Sequence, residues 1–272
     1  WNFKRRGHFR RNFWEKKLKK EIDFYPITNV GIKRTNNEDA FLVEQDVNLF
    51  IVADGMGGHS SGEVASKIAV ETIGKFFKDP NLNEETTWPY EYDDKISFLG
   101  NKLKTAIAIA NEKIQEYSKD HIESRGMGTT VVALHKSGDK VILCHVGDSR
   151  CYLLRDKKLI LLTSDHSWVN EQVKMGFLTE SEAQRHPFRN VITKALGTKG
   201  EATAEVTEMT CKVGDTYLLC TDGLNSMIAD SEIENILLNK SNLQEMGEAL
   251  IDAANKGGGE DNITLILVKI LH

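Results

Sequence analysis

The 272-residue chain is 40% hydrophobic and 28% charged, which allows one large domain or two small ones and provides enough apolar content for a sizeable core. The net charge of −5 is uneven: residues 1–20 hold nine Lys or Arg and one Glu, so the remainder carries −13. Such an acidic body argues against nucleic-acid binding and suits a cation site. No apolar run approaches the roughly 18 residues that span a bilayer, and no secretory signal pattern is present. Cys144, Cys151, Cys211 and Cys220 form no Cys-x-x-Cys pair, so zinc is disfavoured and reduced, buried thiols in a cytoplasmic protein are expected. A start at Trp1 rather than Met leads us to expect a trimmed or processed piece of something longer.

The first 20 residues are basic with interleaved aromatics, and Phe9, Phe13 and Leu18 could share one face of a short helix. They read either as an amphipathic segment for an anionic membrane surface, an acidic partner or the acidic body, or as a solvated tether. Strand patterns cover 24–30 and 40–44, with Arg34, Glu38 and Asp39 between them. Leu49 to Ala53 is a short apolar run that reads as a buried strand. It delivers Asp54 into a stretch holding Gly55, Gly57, Gly58 and Gly62, where backbone can turn tightly and approach a bound group. A helical stripe follows over 63–78, then an exposed connection over 79–99, then a second amphipathic helix carrying Leu103 to Tyr117.

Two hairpins are expected next, 131–135 with 140–146 and 151–155 with 159–163. Residues 165–200 break the strand rhythm and carry two short helical patterns, over 169–175 and 178–183. A strand over 211–220 leads to Asp222. Helices are expected over 230–238 and 242–255, and a β-branched strand over 263–270 closes the chain. No internal repeat appears.

Four aspartates, Asp54, Asp148, Asp222 and Asp261, each lie at the edge of an apolar run. Crowded carboxylates need cations or protons to offset their repulsion, and hard oxygen ligands suit Mg²⁺ or Mn²⁺. The chain lacks a G-x-x-x-x-G-K-[ST] loop, a Gly-x-Ser-x-Gly elbow and a Cys-x5-Arg loop, which disfavours nucleotide-triphosphate, serine-nucleophile and cysteine-nucleophile chemistry.

The motifs RTNNED (34–39), ADGMGG (53–58), GTT (128–130), VGDSR (146–150), LTSDHS (162–167), HPFRNVITKALG (186–197), TDG (221–223) and EDNIT (260–264) resemble, in order, those of the type 2C metal-dependent Ser/Thr protein phosphatases, in the wording of the compact bacterial branch. The resemblance runs from about residue 24 to the C-terminus. It implies an α+β fold, a four-layer α-β-β-α sandwich of two stacked antiparallel sheets flanked by helices. It implies a basic arm over 1–22 and one catalytic domain over 23–272, with 165–200 forming a flap beside the catalytic groove.

The resemblance also implies hydrolysis of phosphoserine and phosphothreonine by direct attack of a metal-activated water, with two Mn²⁺ or Mg²⁺ ions and a weak third. Asp54 would bridge both ions, with the Gly55 carbonyl and Glu38 on one and Asp222 and Asp261 on the other. Arg34 would grip the substrate phosphate, to which its planar fork of donors is suited. Asp39 would support the site by hydrogen bonds. Asp148 matches the acid of a third metal, but a second acid common in relatives is Ser226 here, so that ion would be weak or need Asp165.

Some relatives carry His where this chain has Met56. His59 is not assigned as the proton donor, and His166 and His186 read equally as structural. The implied partners are phosphorylated proteins and an opposing Ser/Thr kinase, with no nucleic acid, in a monomeric cytoplasmic enzyme. The alternative is a catalytically silent phosphatase-like signalling or binding module, favoured only by Ser226.

Overall fold

The computed structural model describes residues 21–57, 61–82, 90–198 and 202–272. The basic arm over residues 1–20 and His59 lie outside the described residues.

The chain enters through strand β1 (Ile22–Asn29), crosses β2 (Ala40–Glu44) and β3 (Leu49–Ala53), and makes a two-residue β4 (Gly55–Met56). Helices α1 (Ser61–Phe77) and α2 (Phe98–Asp120) follow, the second capped by the Ser97 side chain accepting from the Gly100 N–H. That cap satisfies one of the donors a helix start leaves unpaired. Next come β5 (Gly128–Thr129), then β6 (Val131–Ser137) and β7 (Lys140–Val146) as the first expected hairpin. The second hairpin joins β8 (Arg150–Arg155) to β9 (Lys158–Leu161). Its turn holds Asp156 and Lys157 at φ of 52° and 63°, the left-handed pair that matches the twist of a tight hairpin.

Short helices α3 (Trp168–Lys174) and α4 (Glu180–Ala183) lie where the strand rhythm breaks. The chain continues through β10 (Glu205–Thr210), β11 (Thr216–Cys220), α5 (Asp222–Asn225), α6 (Asp230–Asn239), α7 (Leu243–Lys256) and β12 (Ile263–Ile270).

The structure differs from expectation at α5, a four-residue helix the sequence does not announce, and around β10. Residues 211–215 are not strand but a turn, with Gly214 at φ 94° and its N–H on the Ile270 carbonyl. The strand β10 just before them was not anticipated. Its sequence, EVTEMT, alternates exposed and half-buried positions at the edge of a sheet, so its apolar signal is thin.

One five-stranded sheet has the order β1-β12-β11-β8-β9 and the other β10-β7-β6-β3-β2, with every pairing antiparallel. Phe50, Val52, Val132, Leu134, Tyr217, Leu219, Ile266 and Val268 fill the space between the sheets. Leu49, Ile51 and Ala53, the alternate residues of β3, face the other way and pack with Ala69, Ile73, Leu103 and Ile107 of α1 and α2. Leu265 and Leu267 of β12 likewise pack with Leu237 of α6 and Leu250 of α7. The result is the four-layer α-β-β-α sandwich. Central strands are buried on both faces, which is why they read as continuous apolar runs rather than alternating ones.

In β1 and β12, Asn29 pairs with Ile263 at one end and Ile22 with Ile270 at the other. Beyond that far end the Leu271 N–H meets the Glu21 carbonyl. No helix among the described residues is long and apolar enough to cross a membrane.

Candidate active site

Sheet ends converge at one edge of the sandwich and bring the expected acids together. Asp54 follows β3, and its backbone is pinned. Its N–H donates to Thr130 Oγ1 at 3.0 Å, and its carbonyl accepts from Thr129 Oγ1 at 2.8 Å and from the Thr130 N–H at 2.9 Å. Both threonines are buried, so the GTT segment holds the Asp54 turn in place. Gly55 has no room for a side chain: a Cβ there would sit 2.2 Å from the Gly62 carbonyl and 2.4 Å from that of Glu38. A Cβ on Gly62 would meet Glu38 Oε2 and the Gly55 carbonyl, each at 2.8 Å. The absent side chains therefore let the Glu38 carboxylate and the Gly55 carbonyl approach the same point.

Asp222 begins α5 directly after β11, and Asp261 precedes β12. The two loops touch, since a Cβ on Gly223 would lie 2.0 Å from the Asn262 carbonyl. Arg34 reaches across from the β1–β2 loop, its Nη2 at 2.7 Å from Asp261 Oδ2. Asp39 accepts from Thr221 Oγ1 at 2.9 Å.

The electrostatics of the bare cluster are severe. Burial first, then Asp39, Asp222, Asp148 and Asp261, drive the Asp54 carboxyl well above the usual carboxylate range. Burial lifts Asp39 to about 7, partly opposed by hydrogen bonds from Thr264 and Thr221 and helped by Asp222 and Asp261. Burial and the charges of Asp222 and Asp165 lift Asp148 to about 8, and Asp148 Oδ1 is buried without a hydrogen-bond partner. Burial and Asp261 raise Asp222; burial also raises Glu38, with Arg34 opposing. Like charges at this density are held apart from ionisation unless cations enter. An all-oxygen donor set, a cradle kept open by glycines and an orphaned carboxylate oxygen together fit hard divalent cations.

Asp165 is not free to help Asp148. Arg150 holds it in a fork, Nε to Oδ1 at 3.0 Å and Nη2 to Oδ2 at 2.7 Å. Ser226 is exposed and turns its hydroxyl to the Asp222 carbonyl at 2.6 Å, a local bond within the α5 turn. His186 packs against Trp168 with ring centroids 5.0 Å apart.

His145, His166 and Glu205 also offer donor atoms within 4.8 Å of one another. The two rings are stacked, with planes 9° apart and centroids at 4.9 Å, so their in-plane lone pairs do not converge. His166 Nδ1 accepts from the Gly147 N–H at 3.0 Å, which leaves the proton on Nε2, facing Glu205 Oε1 at 2.9 Å. This trio braces β10 to the Gly147 turn and does not form a metal cage.

Asn262 is a site residue that sequence reasoning passed over inside EDNIT. Its side-chain amide donates to the carbonyls of Val30 at 2.9 Å and Asn36 at 2.8 Å, and its Oδ1 accepts from the Glu38 N–H at 2.7 Å. It is buried and fastens the loop of Arg34 and Glu38 to the loop of Asp261. Asn262→Ala strands three backbone groups, so we expect a loss of about 3 kcal/mol in guanidinium unfolding; a loss within error of zero would contradict this linkage.

The sequence profile of protein phosphatase 2C matches residues 32–267. Protein phosphatase PhpP of Streptococcus pneumoniae is 40% identical over 252 residues, 90% of this chain and 96% of its own length. Serine/threonine phosphatase stp of Listeria monocytogenes is 37% identical over 249 residues, 89% of this chain and 93% of its own. Among solved structures, the serine/threonine phosphatase PstP/Ppp of Mycobacterium tuberculosis superposes with a TM-score of 0.81 at 34% identity, covering 92% of this chain and 99% of that one. The catalytic domain of serine threonine protein phosphatase PstP, solved with two manganese ions, gives 0.78 at 31% identity over the same shares. With the profile spanning most of the sandwich and relatives aligned nearly end to end, the chain belongs to the protein phosphatase 2C family.

Proposed function

We infer that this chain is a protein serine/threonine phosphatase dependent on Mn²⁺ or Mg²⁺. The observation that supports it most is the convergence of Asp54, Asp222 and Asp261 with Glu38 and the Gly55 carbonyl, a donor set carrying far more negative charge than its own side chains offset. In this reading Asp54 would hold both ions, together with the Gly55 carbonyl and Glu38 for one and Asp222 and Asp261 for the other, while Asp148 would offer a weak third position. When bound, the ion pair supplies an acidified water nucleophile and neutralises charge on the phosphate oxygens.

The protein's own residues do the rest. Thr129 and Thr130 hold Asp54 rigid, Asn262 keeps the two ligand loops in register, and Arg34 presents donors to the phosphate. Phosphomonoester hydrolysis is among the slowest uncatalysed reactions, and rigid placement of charge is what lowers such a barrier.

The partners that follow are phosphorylated proteins and a Ser/Thr kinase that makes them. We assign residues 21–272 to one catalytic domain, since Ile22 already pairs with Ile270 in β1, and 1–20 to a basic arm, in a monomer; four buried free cysteines support a reducing, cytoplasmic setting. Ser226 does not favour a silent module, because its hydroxyl serves the α5 turn.

The test is release of phosphate from phosphoserine and phosphothreonine peptides with Mn²⁺ and with EDTA. We expect turnover in the first and background in the second. Turnover undiminished by chelator would remove the metal mechanism.

A further inference from the structure

Arg34 does something here that phosphate binding alone does not explain. Its Nη2 lies 2.7 Å from Asp261 Oδ2. Among the described residues it makes the one ion pair to the acids Glu38, Asp54, Asp222 and Asp261. Arg150, the cation beside Asp148, is committed to Asp165. Arg34 is also half exposed, at 50%, and Asp261 is 34% exposed. Residues 32–36 are exposed as well, so the side chain has room to swing outward.

We propose that Arg34 is a metal-displaced counter-ion: its guanidinium neutralises Asp261 in the metal-free protein and becomes available to the substrate phosphate only when a divalent cation takes Asp261. The inference rests on the two-metal reading above. A cation on Asp261 removes the carboxylate oxygen Arg34 uses and repels the guanidinium at short range. The fork then faces outward, where the phosphate brings negative charge in a geometry that suits it. Substrate capture is thereby conditional on metal occupancy, and metal and substrate load in a fixed order. The contact has a cost as well: it competes with the ion for Asp261.

The experiment is calorimetric titration of MnCl₂ alone into chelator-stripped full-length protein at physiological salt, with no phosphate present. Wild type is compared with Arg34→Gln, Arg34→Lys and Lys33→Gln. Lys33 is the neighbouring exposed cation; its substitution removes the same formal charge without touching Asp261. Arg34→Gln is expected to tighten one Mn²⁺ site by about two- to fivefold, the equilibrium equivalent of an exposed ion pair. Lys33→Gln should shift it less, since among the described residues the ion pair to Asp261 is made by Arg34 and not by Lys33. Arg34→Lys should stay near wild type.

Equal shifts in Arg34→Gln and Lys33→Gln, or no shift in either, would overturn the proposal and leave the phosphatase reading intact. A stripped wild-type protein that takes up no Mn²⁺ would overturn both.

Discussion

Asp54→Asn is expected to abolish Mn²⁺-dependent phosphopeptide hydrolysis while raising the melting temperature of the metal-free protein. The two effects have one cause. Asp54 sits among Asp39, Asp148, Asp222 and Asp261, and burial first, then their combined charge, makes its ionised form costly. The amide keeps the shape, and the backbone remains tied to Thr129 and Thr130, so the turn should survive. It lacks the anionic oxygens with which Asp54 would hold divalent cations. Losing several kcal/mol of charge stabilisation corresponds to a fall of about 10³-fold or more in turnover. Meanwhile one repelling carboxylate has left an apo cluster that carries too many. The measurements are turnover at saturating Mn²⁺ and thermal unfolding in EDTA. A variant within tenfold of wild-type turnover would remove Asp54 from the centre of the chemistry. A lower apo melting temperature would show that its charge is not a burden on the fold.

The second expectation concerns pH. Asp39 rises to about 7 and Asp148 to about 8, both chiefly through burial, whereas an unfolded carboxylate titrates near ~4. In EDTA, between about pH 4 and pH 8, the native state therefore keeps protons that the unfolded chain has released. The unfolded chain binds fewer protons, so the contribution of these two groups makes stability fall as pH rises across that window. Saturating Mn²⁺ should reverse the slope, because ions displace the protons and bind the deprotonated form best. At a hundredfold excess over the dissociation constant each ion adds about 2.7 kcal/mol, which for a domain of this size is on the order of 5–10 °C in melting temperature. Melting curves from pH 4 to 9 in EDTA and in MnCl₂ would decide it. Parallel profiles in the two buffers would mean that the acids are not the metal site.

The sequence carried most of this arrangement because the site is made of chain features that local pattern exposes. Each of Asp54, Asp222 and Asp261 abuts an apolar strand, and a strand end is where a side chain can face a cleft while its backbone stays rigid. The four-layer stacking was legible through the family resemblance, and continuous apolar strands such as Leu49–Ala53 agree with burial on both faces.

Strand β10 was not legible. An edge strand with one wet side offers little hydrophobic signal, and Glu205 and Glu208 look like loop residues until Glu208 is seen accepting from Ser97 Oγ and N–H at the start of α2. The α5 turn was missed for a different reason: four residues are too few to show a helical period. Asn262 escaped because its work is done by an amide bonding to backbone carbonyls distant in sequence, which no spacing reveals. The fork between Arg150 and Asp165 escaped likewise, and it withdraws the acid that sequence alone would have lent to Asp148.

Because Ile22 lies beside Ile270, the polypeptide leaves the sandwich where it came in. With a rise of about 3.3 Å per residue, the length of β12 sets that doorway roughly 25 Å from the catalytic mouth. The domain could therefore be spliced into a surface loop of a host protein, or have its ends joined and be reopened elsewhere, without obstructing the entrance for phosphoproteins.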